Sequence, residues 1–268
     1  MQTCVMPPLR PADRCRAWRA RAGSAVAAGV LAVAALACAG RPAPAGAAPR
    51  AQHARFAVPA SARQLVVVSS PTYDPANYLA KFQSFRRANA SSPWKPVFPA
   101  WQTEIGSGHI VDVRREGDHA TPTGVFSFGR TMYGNGADPG EIHEAYHHLV
   151  CGDWWDEDPY SDQYNRFVHV ACGTTPSFAA WSEALWTDTK SYRYFAVIDF
   201  NDNPTVAGLH APGSGIFLHT WMYGPTQGCI ALPVPKLLEV LRWLDPADHP
   251  VIEIGTRAEV GHVPPAPA

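Results

Sequence analysis

Gly215-Ile216-Phe217-Leu218-His219-Thr220-Trp221, followed after a short interval by Pro225-Thr226-Gln227-Gly228-Cys229-Ile230-Ala231-Leu232, is where the reading of this chain begins. Ile216-Phe217-Leu218 is a short apolar run of the kind that forms a buried strand, and it ends in an imidazole. The Gly228-Cys229 step opens a second apolar run, which exposes a sulfur at the mouth of a sheet close to that strand. A thiol with a base nearby is the minimum kit for a cysteine nucleophile. The bland alternative is one half of a disulfide beside an incidental histidine.

Outward from this stretch, strand signals outnumber helical ones. Arg63 to Ser69 is a β-branched run and reads as the first strand. Asp74-Pro75 then resembles a helix start, with Tyr78, Leu79, Phe82 and Phe85 at helical spacing, so a helix is expected there. From Trp94 to Phe128 the pattern is short strands broken by Pro and Gly, with Thr121-Pro122-Thr123-Gly124-Val125-Phe126 turning into a strand. Tyr194 to Phe200 reads as another. Val234, Leu237, Leu238, Leu241 and Leu244 share one face of a helix that stops at Asp245-Pro246, and Val251 to Ile254 is a last strand. The expected class is mainly β with a few packed helices.

The N-terminus reads as a separate targeting segment. Arg10, Arg14, Arg16, Arg19 and Arg21 precede an Ala/Val/Leu stretch from Ala25 to Ala39, with small residues and prolines after it, the pattern of a secretory leader spanning 1–47. That stretch is shorter than a membrane span needs, so no permanent span is expected. Lipid attachment at Cys38 is the minority alternative. Removing the leader shifts the formal charge from −1 to about −6, which does not favour nucleic acid as a partner. A Pro/Ala-rich arm (48–62), one domain (63–256) and a flexible tail (257–268) make up the rest.

Of the six cysteines, Cys4, Cys15 and Cys38 fall in or at the edge of the leader. Cys151 and Cys172 can close a loop of about twenty residues, a separation at which a disulfide supplies about 3 kcal/mol. Cys229 is then the thiol left over; pairing of Cys229 with either of the others is the open alternative.

Phe217-Leu218-His219, Pro225 to Leu232, Arg115-Glu116-Gly117-Asp118 and Thr121 to Phe126 together resemble the L,D-transpeptidase catalytic-domain family, over roughly Leu65 to Gly255. The resemblance implies a β-sandwich-like catalytic domain in a secreted, cell-wall-located enzyme that cross-links or modifies peptidoglycan stem peptides through a cysteine thioester. It implies no cofactor and no metal. Cys229 would be the nucleophile, His219 its base, and the backbone N–H groups of Gly228 and Cys229 an oxyanion hole. His219 is preferred to His210, which sits beside the loop signal Ala211-Pro212-Gly213. A neighbouring imidazolium would hold a useful fraction of thiolate at neutral pH. Gln227 replaces the family's usual His, Ala231 its frequent Arg or Asn, and the His-to-Cys interval is that of a compact branch.

Thr226 and the segment between the two other cysteines, with Trp154, Trp155, Tyr164 and Arg166, are expected to border the peptide groove. The competing reading is a stapled surface loop whose aromatics cover the core. Asp153, Asp156, Glu157 and Asp158 suggest calcium only weakly. Two rival functions follow from the residues. A non-catalytic wall-binding module would keep the fold without the chemistry. A zinc protease would use His143-Glu144-Ala145-Tyr146-His147 on a helix, with Glu183 as a distant third ligand.

Overall fold

All of Gln64 to Ser70 is buried, and this run forms β1, a strand covered on both faces. Val66 and Val68 enter one apolar cluster and Leu65 and Val67 another. The structure, a computed structural model, describes residues 56–74, 76–202, 208–221 and 223–261. The leader 1–47 with Cys38, the arm as far as residue 55, Pro75 and the tail beyond 261 lie outside the described residues.

The segment expected to be a helix is instead β2 (Leu79–Arg86), paired antiparallel with β1. Its residues fit both periods: Phe82 and Phe85 at helical spacing, Ala80, Phe82 and Ser84 at strand spacing. Pairing on both edges, with β1 and with β4, gives its backbone hydrogen bonds that an isolated helix could not match. Asp74 does accept the Ala76 N–H at 2.9 Å, but caps a turn and not a helix.

Four short elements follow: β3 (Lys95–Pro96), β4 (Trp101–Glu104), β5 (Ile110–Val111) and β6 (Thr121–Pro122). Then come the long β7 (Gly124–Gly134), β8 (Ala145–His148), β9 (Asp153–Asp156), β10 (Arg166–His169) and β11 (Glu183–Ala184). The C-terminal part contains β12 (Phe195–Ile198), β13 (Phe217–Thr220), β14 (Ile230–Leu232), helix α1 (Val234–Trp243) and β15 (Val251–Thr256). The main sheet runs β1-β15-β7-β12-β13-β14-β4-β2, and β2 pairs back with β1, so it closes on itself like a barrel. The fold is therefore mainly β, and closure removes the open edges that a flat sheet would expose. Helix α1 presents Leu237, Val240 and Leu241 to the same core as Leu218, Ile230 and Leu232.

The small sheet β10-β9-β11 covers the other face of β12 and β13. Phe217 packs edge-on against Trp155 at 4.9 Å and lies tilted against Phe195 at 4.7 Å. This layer is held at its base by a disulfide between Cys151 and Cys172, which settles the open pairing. Beside it, the buried Asp153 accepts from the Val150 N–H at 2.8 Å and pairs with His147 at 2.8 Å and His169 at 2.7 Å.

That arrangement overturns the zinc-protease geometry. Ala145–His148 is a strand paired parallel with β7, so His143 and His147 do not share a helical face, and His147 is committed to Asp153. Among the described residues no group of three His, Cys, Asp or Glu is placed to hold a metal. The calcium reading fails for a similar reason: Asp156 accepts the Asp158 N–H, and Asp158 accepts the N–H groups of Tyr160 and Ala179.

Burial works to raise the Asp153 carboxyl, but the Val150 N–H and the His169 and His147 rings outweigh it and hold the group below its ordinary range. A depressed folded value means stability that is present above the unfolded pKa, near 3.9, and lost as pH falls through the folded one. Asp153→Asn should therefore cost about 1.5–3 kcal/mol in urea unfolding at pH 7. The gap to the parent should narrow when the same titration is run at pH 3.

Candidate active site

Strands β13 and β14 run parallel with Leu218 opposite Ile230 and His219 opposite Ala231. Side chains alternate along a strand, so His219 and Ala231 share a face, and Cys229, two residues before Ala231, opens onto it too. Leu218, Ile230 and Leu232 take the opposite face, into the barrel core. The register thus brings the predicted thiol and imidazole to one wall, and both line a cavity of about 830 Å³.

Cys229 is 6% exposed and is the free cysteine among the described residues. Its S–H donates to the Gly215 carbonyl at 3.2 Å, and its sulfur accepts the Phe217 N–H at 3.3 Å. Burial pushes the thiol well up, and the charge of Glu183 adds to the effect. His219 is 5% exposed, and its Nδ1 lies 2.7 Å from the Thr220 carbonyl, which fixes the proton on Nδ1 and leaves Nε2 as the basic nitrogen. Burial pulls this imidazole down to about 4, against hydrogen bonds to the backbone of Thr220 and Ser191 and the charge of Asp188. Tyr192 stands edge-on to the ring at 5.9 Å.

These shifts correct one expectation from the sequence. Both shifts favour the neutral forms, thiol and imidazole, in the free protein and work against an imidazolium that would hold a thiolate at neutral pH. A low-dielectric site disfavours the separated charges, so the proton moves when a substrate is attacked and not before.

Gly228 has φ +126, open to glycine, and a Cβ there would stand 2.7 Å from the Ala120 carbonyl. Its carbonyl accepts the Thr121 hydroxyl at 2.8 Å, and that hydroxyl also accepts the Gly106 N–H. The Thr121-Pro122-Thr123-Gly124 turn therefore props the Gly-Cys step from behind. Thr226 lines the cavity, but its hydroxyl donates to the Cys229 carbonyl at 2.7 Å and accepts the Gly228 N–H at 3.2 Å. One of the two N–H groups expected in the oxyanion hole is thus already engaged.

Other expected groove residues lie elsewhere. Neighbours on β9 point to opposite faces, so Trp155 packs into the cluster behind Cys229, while Trp154 packs against Phe178 and Trp186. Tyr164 is buried with its hydroxyl on Glu116. Arg166 borders a separate cavity of about 180 Å³ with Asp199. Burying these rings removes more apolar surface from water than lining a wet groove would. The stapled segment reaches the Cys229 cavity through Glu157 and Tyr160 instead. His210 is exposed on a turn, Gly208–His210, and does not line the cavity.

Several cavity residues carried no role in the sequence reading. Arg114 is 6% exposed and donates to the carbonyls of Ala120 and Ser214. Glu183, weighed only as a zinc ligand, accepts the Tyr192 hydroxyl and faces Cys229. Only Arg114 had a signal, its place next to the Arg115 to Asp118 mark.

Two measurements check the site. Iodoacetamide should alkylate Cys229 at pH 7 at least about tenfold more slowly than free cysteine, with the rate still rising at pH 10. Gly228→Ala should lose about 1–3 kcal/mol in urea unfolding through backbone strain and the clash with Ala120.

Comparison with known proteins gives one match. A family model described as the YkuD L,D-transpeptidase catalytic domain fits residues 87–257, more than half of the chain. No curated protein and no solved structure matches. The matched span runs from the end of β2 to just past β15 and includes His219 and Cys229. Members are cysteine-nucleophile transpeptidases that act on peptidoglycan. A closed sheet with a thiol and an imidazole at one wall accords with that match, and the chain belongs to the L,D-transpeptidase catalytic-domain family.

Proposed function

We propose that this protein is an exported acyltransferase that modifies or cross-links peptidoglycan stem peptides through a thioester on Cys229. The observation that carries the proposal is the β13–β14 register, which sets Cys229 and His219 on one face at the wall of one cavity. As the sulfur attacks the carbonyl between the third and fourth residues of a tetrapeptide stem, His219 Nε2 takes the thiol proton. The tetrahedral intermediate collapses, D-alanine leaves with the proton from His219, and a thioester remains. An amine then replaces the sulfur; water in its place gives hydrolysis. Thr220, through its carbonyl, holds the ring during both transfers. Residues 63–256 would be the catalytic domain and 1–47 the leader that takes it to the cell wall.

Intact-mass analysis after incubation with a stem tetrapeptide tests the reading. The parent should gain one acyl group on Cys229, Cys229→Ala should gain none, and His219→Ala should acylate about 10²–10⁴-fold more slowly. No adduct on folded parent protein overturns the enzymatic reading in favour of a wall-binding module. The pH profile gives a second check. Because His219 is held near 4, below the ordinary 6.5 of histidine, it remains an available base through pH 5–6. The acid limb of acylation should therefore fall near pH 4.

A further inference from the structure

Four acidic side chains, Glu116, Glu157, Glu183 and Asp188, line the Cys229 cavity and give it an acidic wall. Another carboxyl group, Glu104, lies outside that lining and is buried more completely, at 2% exposure. Glu104 ends β4 with Ala231 opposite it, and Ala231 in turn has His219 opposite. Residues opposite one another in a sheet share a face. His219, Ala231 and Glu104 therefore form one row on the face that carries the chemistry, with only a methyl group between the base and the carboxyl.

The connection from His219 to Cys229 crosses over Glu104. The Trp221 N–H donates to the Leu232 carbonyl at 2.7 Å, and the Thr226 N–H to the Ile105 carbonyl at 3.0 Å. The connection is thus pinned at both ends beside the Ala231–Glu104 pair, and the Ser107 N–H adds a bond to the Thr226 carbonyl at 2.8 Å. Between the pins, the Trp221 indole and the Gly224 backbone approach the carboxyl of Glu104. Burial raises that carboxyl above its ordinary range, and these two neighbours work against the rise. Yet Glu104 Oε2 and Trp221 Nε1 are both buried with no hydrogen-bond partner among the described residues. An unmet acceptor beside an unmet donor is a complementary pair. A buried carboxyl that apolar atoms could replace costs free energy unless it holds something in place. From Gly224 onward the connection lines the Cys229 cavity, through Pro225, Thr226 and Gln227.

We infer that Glu104 is a positioning residue: it draws Trp221 and Gly224 onto the end of β4 and so sets the lip, Gly224 to Gln227, over which a stem peptide reaches Cys229. The part played in peptide binding rests on the acyl-transfer reading given above, whereas control of access to the thiol does not. Glu104 touches no reacting atom. His219 and Cys229 are tied to each other by the β13–β14 register, so losing Glu104 leaves the chemistry in place and loosens the lip.

Acylation of Cys229 by a stem tetrapeptide, followed by intact mass over a range of peptide concentrations, tests this in parent, Glu104→Ala, Glu104→Gln and Trp221→Phe proteins. Glu104→Ala should raise the half-saturating concentration at least about fivefold, the size of one lost hydrogen bond, and keep the saturating rate within about twofold of the parent. Glu104→Gln, which retains an acceptor at the same place, should recover most of that loss. Adding Trp221→Phe to Glu104→Ala should change little more, because both substitutions break one contact. A role in stability alone would lower the urea midpoint and leave half-saturation unmoved; that result, or a fall in the saturating rate alone, overturns the inference. If Glu104→Ala does not fold, the same rise is expected of Trp221→Phe, and its absence overturns the inference. A parent that takes no acyl group overturns the acyl-transfer reading separately, and iodoacetamide then decides the lip. Alkylation of Cys229 should run at least about threefold faster in Glu104→Ala than in the parent, and equal rates overturn the inference.

Discussion

Parallel pairing of β13 with β14 is the constraint to which the site is tied, because strand geometry has a period of two and the two strands bury both faces. Sliding β14 by one residue would turn Ile230 and Leu232 out of the barrel core and Cys229 away from His219. Several contacts outside the pair keep the register. The Thr103 hydroxyl donates to the Ala231 carbonyl at 2.7 Å, the Thr226 hydroxyl to that of Cys229, and the Thr121 hydroxyl to that of Gly228. The small sheet then presses Trp155 onto Phe217, so the face that carries the chemistry is packed nearly as tightly as the core.

Tight packing sets the electrostatics. A thiol and an imidazole that are each nearly excluded from water both prefer their neutral forms, and the acidic wall reinforces this for the sulfur. The resting site therefore favours a neutral thiol that donates to the Gly215 carbonyl, and a neutral imidazole, over an ion pair. What lowers the barrier must come from the substrate's own charge redistribution and from backbone donors fixed before it arrives. Arg114 contributes to that fixity by binding carbonyls on either side of the Gly-Cys turn, Ala120 and Ser214.

The strands that build the site were legible because their signals are local: apolar runs bounded by Gly and Pro, with His219 and Cys229 at their ends. The helix α1 was legible for the same reason, with an apolar stripe and a proline stop at Pro246. Strand β2 was not, since Phe82 and Phe85 satisfy both periods and only the long-range partners β1 and β4 choose between them. Trp154 and Trp155 misled because side-by-side residues on a strand face opposite ways, and which face is buried depends on Phe217, more than sixty positions later. The acidic wall was invisible for a deeper reason. Glu116, Glu157, Glu183 and Asp188 lie in three separate stretches of chain, and only folding gathers them.

The hydrogen bond from the Cys229 sulfur to Gly215 also bears on chemical durability. Peroxide and disulfides react with thiolates far more readily than with thiols, so a sulfur that keeps its proton in a nearly closed wall is a poor target for either. The same chain must oxidise Cys151 and Cys172 while sparing Cys229. Once β13 and β14 have closed over Cys229, that selectivity is built into the native state, and mispairing is confined to the interval before the barrel forms.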